Sequence, residues 1–502
     1  MLKAIYRILA FALLSGLAAL PAGCAGGRHR IRPDVLAPAP ADSSALRMEL
    51  LAARLDSLVS DTLLAQAQYG VYIVDAWTGR PVYARNFQQL LVPASANKLF
   101  VTALALRRLG PQHRFTTAVL GDSLDARGRL RGNLYLAGSG DPSLTTAGLE
   151  ELAFRLKSAG LERVAGKLVL DPGAFDTSKY GPGWMWDEGP YAYNAPISAL
   201  SVNRNTFEIG ISAGPRPGDG LKVSLRPSSA YFKVENQGVT AFPGVKRSLK
   251  VNRKQEGEGE TVSVSGVLPP EDSPHYAVRS VADPVRYCGS LFREALRRQG
   301  IVVAGGTAVG RAPEGLACLA AARSKPLHSI LQDLNKDSDN FTAEMLYRAI
   351  MAGDRIPRGN GAPDHSEPME AMMAGLGFGP GSHRIVDGSG LSRYNLCSPQ
   401  QLVAVLMDLH RDELIRPELL ASLPIAGADG TLGSRMNGEG VQNRSRAKTG
   451  TMTGVSSLAG FAFGSGGRRY CFAMMFNNYT AGAPAIRTLQ DRMVAELITV
   501  SP

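Results

Sequence analysis

The sequence predicts an α/β protein of the α+β kind, in which an antiparallel sheet flanked by helices is interrupted by one or two inserted β-rich domains. Three observations predict this fold. Residues 44–60 have the apolar spacing of a helix, and they precede a hairpin signal at 70–75 and 81–85. Between about 112 and 320, short alternating segments rich in glycine and proline replace that pattern. After Ser324 the helical spacing returns, and strand-like segments precede a closing amphipathic helix.

The segments before and after the insert are expected to share one sheet. We predict one domain from residues 44–111 plus 324–502, with residues 112–323 inserted. Its later helices are predicted at 327–339, 341–351, 399–409 and 486–498, and its later strands at 447–451, 458–463 and 470–476. The insert is predicted to hold strands at 115–120, 134–137, 167–170 and 262–267 and at least one helix, 147–159.

Composition excludes several classes of function. The 502 residues carry a net charge of +11, but the positive charges are scattered, which suits an anionic surface or polymer and argues against nucleic acid. Neither a metal nor a cofactor is expected. Four cysteines show no C-x-x-C spacing and are expected as buried free thiols, and three isolated histidines are expected to be structural or exposed. These residues are Cys288, Cys318, Cys397, Cys471, His113, His275 and His410.

The N-terminal residues predict export. Residues 1–24 have a basic start, an apolar run and small residues, as a secretory signal peptide does. The stretch before Cys24 resembles a bacterial lipoprotein cleavage box, although Pro21 occupies a position where that box has an aliphatic residue. Lipidation of Cys24 and simple secretion therefore both stay open. Residues 25–43 are predicted to be a tether, and the protein is expected in the periplasm or cell envelope. If Cys24 is lipidated, it would attach the protein to a membrane.

A serine begins an apolar run that Gly110 and Pro111 end. Lys98 follows Ser95 by three residues, so a buried helix of about four turns starting at Ser95 would bring the amine to the hydroxyl. A buried lysine has a lowered pKa and can act as a base toward that hydroxyl. The alternative is that Ser95 only caps the helix. The same spacing recurs at Ser445 and Lys448, where no apolar helix begins.

Two further short motifs suit the same chemistry. Ser338-Asp339-Asn340 alone is usually a turn, and Lys448-Thr449-Gly450 alone is usually the start of a strand. Together, Ser338 and Lys448 could pass a proton to a leaving amine, and Asn340 could bind a substrate amide and hold the base. Thr449 and Lys448 suit a terminal carboxylate, and Gly450 lets the strand approach the site. The backbone N–H groups of Ser95 and Thr451 would bind the oxyanion.

These three motifs, in this order and in an exported chain, resemble those of penicillin-binding proteins and serine β-lactamases. The long gap between the first two motifs is similar to that of the D-alanyl-D-alanine carboxypeptidase/endopeptidase family of low-molecular-mass (class C) penicillin-binding proteins. That family carries extra domains in this gap. Further stretches resemble the family at residues 138–144, 195–201, 387–393 and 429–432.

The resemblance implies a serine-type hydrolase that acts on peptidoglycan stem peptides and cross-links and is acylated by penicillins. It implies that Ser95 is acylated, that Lys98 is the base, and that Ser338, Asn340 and Lys448 complete the centre. Two alternatives remain: a serine β-lactamase, and a non-catalytic envelope binding or scaffold protein.

The resemblance also implies a pocket for the side chain of the substrate. Arg393 and Met452 would line it, although Arg393 could merely clamp a loop and Met452 could be core. The loop 182–193 would overhang the cleft. We expect Trp184 and Trp186 to plug an apolar gap and Asp187 to be exposed, where it would attract a free amine of the stem peptide; Glu188 is the next candidate.

Overall fold

The computed structural model describes residues 43–185, 187–353, 367–464 and 467–500. The predicted signal segment with Cys24, residues 25–42 of the predicted tether, and Trp186 lie outside these ranges. Among the helices in these ranges, none is both long and apolar enough to cross a membrane.

The chain in front of the insert begins with a helix, a hairpin and a second helix. These are α1 (Ser43–Val59), β1 (Gln68–Asp75), β2 (Pro81–Arg85) and α2 (Lys98–Arg108). The sequence predicted that the second helix starts at Ser95, but residues Ala94–Asn97 form a 3-10 turn before α2. The backbone N–H of Lys98 bonds to the carbonyl of Ser95, three residues back, and this tightens the first turn.

The middle of the chain is rich in short strands. In chain order its elements are β3 (Thr116–Gly121), β4 (Arg129–Leu130), β5 (Leu134–Gly138), α3 (Thr146–Ser158), β6 (Arg163–Val164), β7 (Leu168–Asp171), β8 (Thr206–Ser212), β9 (Lys222–Arg226), β10 (Phe232–Thr240), β11 (Lys250–Glu256), β12 (Gly259–Leu268), β13 (His275–Ser280), α4 (Pro284–Arg298), β14 (Val302–Val303), β15 (Thr307–Val309) and β16 (Ala317–Arg323). The sequence analysis did not identify α4.

The strands of this middle region form several small sheets. Their strand orders are β15-β7-β5-β3-β16, β13-β8-β9, β10-β12-β11 and β14-β6-β4. The first and last strands, β3 and β16, pair antiparallel with Thr116 opposite Arg323. The middle region therefore leaves and rejoins the rest of the chain at one place.

After the middle region the chain is mostly helical and then forms three long strands. The elements are α5 (Leu327–Lys336), α6 (Asn340–Ala352), α7 (Glu367–Gly375), α8 (Pro399–Arg411), α9 (Arg416–Ser422), β17 (Ser445–Met452), β18 (Val455–Phe463), β19 (Arg469–Asn477) and α10 (Ala483–Thr499). All the helices and strands predicted for this part are present, with shifted ends.

Strands from both ends of the chain pair in one antiparallel sheet, in the order β17-β18-β19-β1-β2. Both faces of this sheet are buried. Along β19, Ala473 and Met475 face the core that includes α2, α5, α6 and α8, whereas Phe472, Met474 and Phe476 face the core of α1 and α10.

A small apolar cluster joins the middle region to α6. Phe175, Ile197 and Ala199 pack against Phe341 and Met345 of α6. This contact fixes the segment between residues 175 and 199 beside the N-terminal half of α6.

Three of the four cysteines in the described ranges are buried and free, as expected. Cys318 is free but exposed, so the prediction of a buried thiol is wrong there. Its strand, β16, lies at the edge of its sheet, which leaves the side chain open to solvent.

Candidate active site

Side chains of the central sheet hold the turn that carries Ser95. Asn477 at the end of β19 accepts a hydrogen bond from the Val92 backbone N–H (2.7 Å) and donates to the Val92 carbonyl (3.1 Å). Ser457 of β18 donates from Oγ to the Pro93 carbonyl (2.5 Å). The turn is therefore tied to the sheet on the side of β18 and β19.

Gly450 lets β17 approach this turn closely. A Cβ at position 450 would lie 2.2 Å from Ser457 Oγ, 2.6 Å from the Pro93 carbonyl oxygen and 2.9 Å from the Ala96 backbone nitrogen. No side chain fits there without movement of the backbone. The glycine is therefore explained by close approach and not by its dihedral angles.

Lys98 is completely buried, and its amine lies among three acceptors. The Nζ atom is 2.9 Å from Ser95 Oγ, 2.7 Å from Asn340 Oδ1 and 2.5 Å from the Ser389 carbonyl oxygen. Three acceptors match the three donors of an ammonium group. Ser95 itself is only half-buried, so its hydroxyl is accessible while the lysine is not.

Burial lowers the pKa of Lys98 to about 8, although the charges of Asp387, Asp339 and Glu344 oppose this by raising it. Removing an ammonium ion from water disfavours its charged form, which is why burial has the larger effect here. An amine with this pKa exists partly as the free base near neutral pH, as a general base must.

The second motif forms the junction between α5 and α6. Ser338 has a positive φ of 58°, and Asp339 caps α6 by accepting a hydrogen bond from the Thr342 N–H (3.1 Å). This tight junction turns Asn340 toward Lys98 and Ser338 toward the sheet. Lys448 Nζ lies 2.9 Å from Ser338 Oγ and 2.8 Å from the Thr449 carbonyl oxygen.

Lys448 is also completely buried. Burial holds its pKa well below the usual range of lysine, and the positive charge of Lys98 lowers it further. A neutral amine that contacts a serine hydroxyl can accept and return a proton, so Ser338 and Lys448 form a second lysine–serine pair beside the first.

The third motif lies on β17, an edge strand of the central sheet. Thr449 Oγ1 donates a hydrogen bond to Thr431 Oγ1 (2.8 Å), while Thr451 is exposed. The structure thus brings Ser95, Lys98, Ser338, Asn340 and Lys448 together, with the Thr449–Met452 part of β17 beside them.

The remaining predicted site residues lie around this centre. Met452 is half-buried at the end of β17. Arg393 is exposed and donates to the carbonyl of Thr453 (2.7 Å), so it does hold a loop. Asp187 is exposed and makes no ion pair or hydrogen bond with other described residues, whereas Glu188 accepts a hydrogen bond from the Tyr193 hydroxyl.

Trp184 does not simply plug an apolar gap, as the sequence predicted. Its Nε1 donates to the carboxylate of Asp387 (2.8 Å). In the same loop, the carbonyl of Tyr193 accepts a hydrogen bond from Asn340 Nδ2 (3.0 Å). The loop that carries Asp187 is thereby bonded to the site at two points.

Sequence reasoning missed four residues that hold the site: Asp387, Thr431, Ser457 and Asn477. Asp387 and Thr431 lie in stretches already noted for their resemblance, which was an available signal. The serine of the second S-x-x-K motif, Ser445, is completely buried and donates to the Phe461 carbonyl (3.0 Å). Its hydroxyl is therefore not accessible as a nucleophile. Within the described ranges, no group of three or more His, Cys, Asp or Glu side chains is arranged to hold a metal ion.

Comparisons with known proteins identify the family of the chain. A family model described as the D-Ala-D-Ala carboxypeptidase 3 (S13) family matches residues 51–500. A D-alanyl-D-alanine carboxypeptidase of Actinomadura sp. (strain R39) is 35% identical over 474 residues, which cover 92% of this chain and 86% of that protein. The D-alanyl-D-alanine carboxypeptidase DacB of Haemophilus influenzae is 29% identical over 414 residues, 82% of this chain and 85% of that one.

Solved structures show the same similarity. The crystal structure of penicillin binding protein 4 (dacB) from Haemophilus influenzae superposes with a TM-score of 0.77 at 27% identity, and it covers 89% of this chain and 99% of that one. A second structure of that protein, complexed with a β-lactam, has a TM-score of 0.73 at the same identity and coverage.

Proposed function

Because this chain belongs to the D-Ala-D-Ala carboxypeptidase 3 (S13) family, we propose that Ser95 is the residue through which it acts. The protein is a serine-type D-Ala-D-Ala carboxypeptidase, which hydrolyses peptidoglycan stem peptides. It is itself acylated by β-lactams. The proposal assigns the steps of that reaction to individual residues. The observation that carries it is the contact of the buried Lys98 amine with the accessible Ser95 hydroxyl, 2.9 Å apart.

In the first step, neutral Lys98 takes the proton of Ser95 while Oγ attacks the carbonyl carbon of the penultimate D-alanine. The backbone N–H groups of Ser95 and Thr451 stabilise the oxyanion. The leaving amine of the terminal D-alanine then needs a proton. Ser338, whose hydroxyl lies 2.9 Å from the Lys448 amine, donates it, and the proton that Lys98 took from Ser95 replaces the one that Ser338 gives up. Water then attacks the acyl carbon and gives one proton to Lys98. The bond to Ser95 Oγ breaks, the peptide leaves as a carboxylic acid, and Lys98 returns the proton to Ser95.

Binding of the peptide is assigned to the edge of β17. An extended peptide can pair with this edge as an added strand. Lys448 and Thr449 then lie at the position of the terminal carboxylate, while Gly450 keeps the strand close to Ser95.

We assign the recognition of the stem-peptide side chain to Asp187, with Met452 and Arg393 beside it. The carboxylate of Asp187 is exposed and free to bind a side-chain amine. Its loop is bonded to Asn340 and Asp387, which supports a position at the rim of the cleft.

The first experiment is intact mass spectrometry after exposure to penicillin. The wild-type protein gains one covalent adduct, and Ser95→Ala gains none. Ser445→Ala is the matched control, because it removes the serine of the second S-x-x-K motif and should leave acylation largely intact. An adduct that maps to another serine would overturn the assignment of Ser95.

The second experiment compares a stem peptide with its amine-acetylated twin. Asp187→Ala should weaken hydrolysis of the free-amine peptide roughly 5- to 100-fold, depending on how well the ion pair is shielded from water, and leave penicillin acylation nearly unchanged. Equal losses on both peptides, or none on either, would remove Asp187 from the site. Glu188→Ala would then be tested.

We extend the proposal to cross-linked peptides, in which the leaving amine belongs to a second stem peptide. The same acyl-enzyme serves both reactions, so endopeptidase activity should depend on Ser95 as well. A β-lactamase would instead turn over penicillin rapidly; a stable adduct in the mass spectrum distinguishes the two.

For the location of the enzyme, we propose that residues 1–24 direct export to the periplasm or envelope and that residues 25–43 form a tether. Cys24 is either lipidated or lost with the signal. Incorporation of a labelled fatty acid that Cys24→Ala abolishes would support a lipid anchor.

We also propose that residues 44–111 and 324–502 form one catalytic domain and that residues 112–323 are one or more inserted domains. The pairing of β3 with β16 supports this division, because both ends of the insert meet there. Limited proteolysis should cut inside or at the edges of the insert first. Separation of 44–111 from 324–502 as independently stable pieces would contradict it.

A further inference from the structure

Asp387 accepts hydrogen bonds from five donors, although it is completely buried. Four of them belong to its own loop, residues 387–395, and the fifth is Trp184 from the insert. The donors are the backbone N–H groups of Gly390 (2.7 Å) and Ser392 (2.8 Å) and the side chains of Ser389 (3.2 Å), Asn395 (2.8 Å) and Trp184 (2.8 Å). A carboxylate this well satisfied fixes the conformation of its loop.

This loop supplies one of the three acceptors of the Lys98 amine. The carbonyl of Ser389 accepts the shortest hydrogen bond of that amine, at 2.5 Å. The carbonyl of Asp387 itself accepts a hydrogen bond from Asn97 Nδ2 (2.8 Å), next to Lys98 in the chain. A shift of the 387–395 loop would therefore move an acceptor of Lys98.

The insert also contacts Asn340, a second acceptor of Lys98. Asn340 Oδ1 accepts from Lys98 Nζ (2.7 Å), while Asn340 Nδ2 donates to the carbonyl of Tyr193 (3.0 Å). Residues 181–185 and 187–193, here called the insert loop, thus contact Asn340 directly and, through Asp387, the loop that carries the Ser389 carbonyl.

The approach of Trp184 to Asp387 is close. A Cβ at Gly181 would lie 2.5 Å from Nε1 of Trp184 and 3.1 Å from Cβ of Asp387, so position 181 has no room for a side chain. Trp184 is also partly buried, which shields its hydrogen bond from water.

We propose that Trp184 is a positioning residue for the acylation step: through Asp387, its indole N–H holds the Ser389 carbonyl against the amine of Lys98. The insert then contributes to the chemistry of every substrate and not only to the recognition of a peptide side chain. This inference rests on the proposed roles of Ser95 and Lys98.

A residue that only lined the side-chain pocket would behave differently. Its loss would weaken the hydrolysis of peptides that carry the recognised amine and would spare penicillin, which lacks that amine. A positioning residue must affect penicillin acylation too, because Lys98 serves both reactions.

The test is Trp184→Phe, which keeps an aromatic ring and removes the N–H donor. The rate constant of penicillin acylation should fall about 10-fold, as expected for the loss of one hydrogen bond to a charged group. Trp77→Phe is the matched control, since Trp77 is 60% exposed at the turn between β1 and β2. This variant should be acylated at the wild-type rate. Thermal melting of both variants checks that they are folded.

Asp387→Asn gives an independent readout. The charge of Asp387 raises the pKa of Lys98, so its removal should shift the acid limb of the acylation rate to lower pH, which a purely structural defect would not do. If this variant does not fold, Trp184→Phe decides alone. Wild-type acylation by a folded Trp184→Phe, or a loss confined to amine-bearing peptides, would overturn the inference. Acylation at a serine other than Ser95 would instead overturn the proposed function beneath it.

Discussion

Gly450→Ala tests whether the approach of β17 to the Ser95 turn sets the rate of acylation. The new methyl group would lie 2.2 Å from Ser457 Oγ and 2.6 Å from the Pro93 carbonyl oxygen. Non-bonded heavy atoms prefer about 3.5–4 Å, so the strand and the turn must separate by roughly 1 Å. The Ser457 hydroxyl can rotate away, but the Pro93 carbonyl and the Ala96 nitrogen belong to the backbone and cannot.

A misplacement of 1 Å in an active site can cost about 100-fold in rate, and overpacking a core costs about 1–3 kcal/mol of stability. We therefore expect Gly450→Ala to be acylated by penicillin about 100-fold more slowly while it remains folded. Stopped-flow acylation and urea unfolding measure the two effects separately. Relief of the hydroxyl clash alone, in Gly450→Ala/Ser457→Ala, should restore only part of the rate.

The control for this experiment is Gly438→Ala, because an added Cβ at Gly438 would meet no atom within 4 Å. It should leave both acylation and unfolding unchanged. A rate for Gly450→Ala within twofold of the control would refute the argument that this glycine is required for close approach.

Two further predictions concern titrating groups. Since burial lowers the pKa of Lys98 to about 8, the acylation rate should rise with pH and level off above that value. Folded Lys98→Ala should be acylated about 10²–10⁴-fold more slowly, and near-normal acylation at neutral pH would assign the base to another group. His410 is buried against Phe461, and burial lowers its pKa. The unfolded state then binds more protons as the pH falls below about 6.5, so stability is lost on acidification, and His410→Phe should reduce this loss in urea unfolding at pH 5.5 relative to pH 8. The charged groups that face His410 and lower its pKa further are Arg411, Arg416 and Arg469. An unchanged pH dependence in the His410→Phe variant would show that other groups cause the acid sensitivity.

The central sheet could be predicted because its strands have strong local patterns. The long apolar run at 470–476 reflects a strand buried on both faces, where alternate residues enter different cores. The helix α4 had a comparable signal, since Tyr287, Cys288, Leu291 and Phe292 follow helical spacing and are buried. The segments on both sides of α4 have the pattern of strands, so the region as a whole indicates β-structure.

The pairing of the strands of the middle region could not be predicted in the same way. Pairs such as β10 with β12 and β5 with β7 are parallel, and they join segments that are not neighbours in the chain. Short strands of two to four residues, such as β4 and β6, carry too few side chains for a periodic pattern. Their pairing depends on tertiary packing, which composition does not reveal.

The site shows a similar division between chemistry and placement. Sequence reasoning could propose Ser95, Lys98 and Lys448, because nucleophilic catalysis requires a base beside the nucleophile. Few residue types can act as nucleophile or as base. The bond between Trp184 and Asp387 joins residues 203 positions apart. Nothing in the local sequence distinguishes an aspartate that turns a loop from one that also receives an indole N–H from a different part of the fold.

The two buried lysines also show why the surrounding acids matter. Asp387, Asp339 and Glu344 each raise the pKa of Lys98, whereas Lys448 is affected mainly by burial and by the charge of Lys98. The surrounding acids therefore favour the charged form of Lys98, and burial together with the charge of Lys98 favours the neutral form of Lys448. On the proposed mechanism, Lys98 must lose its extra proton before it can accept one from Ser95, so the charges of these acids raise the pH at which acylation begins. Glu344, buried beneath the 387–395 loop and hydrogen-bonded to the N–H of Gly388 (2.8 Å), contributes to this effect in its ionised form, and burial raises its own pKa to about 7.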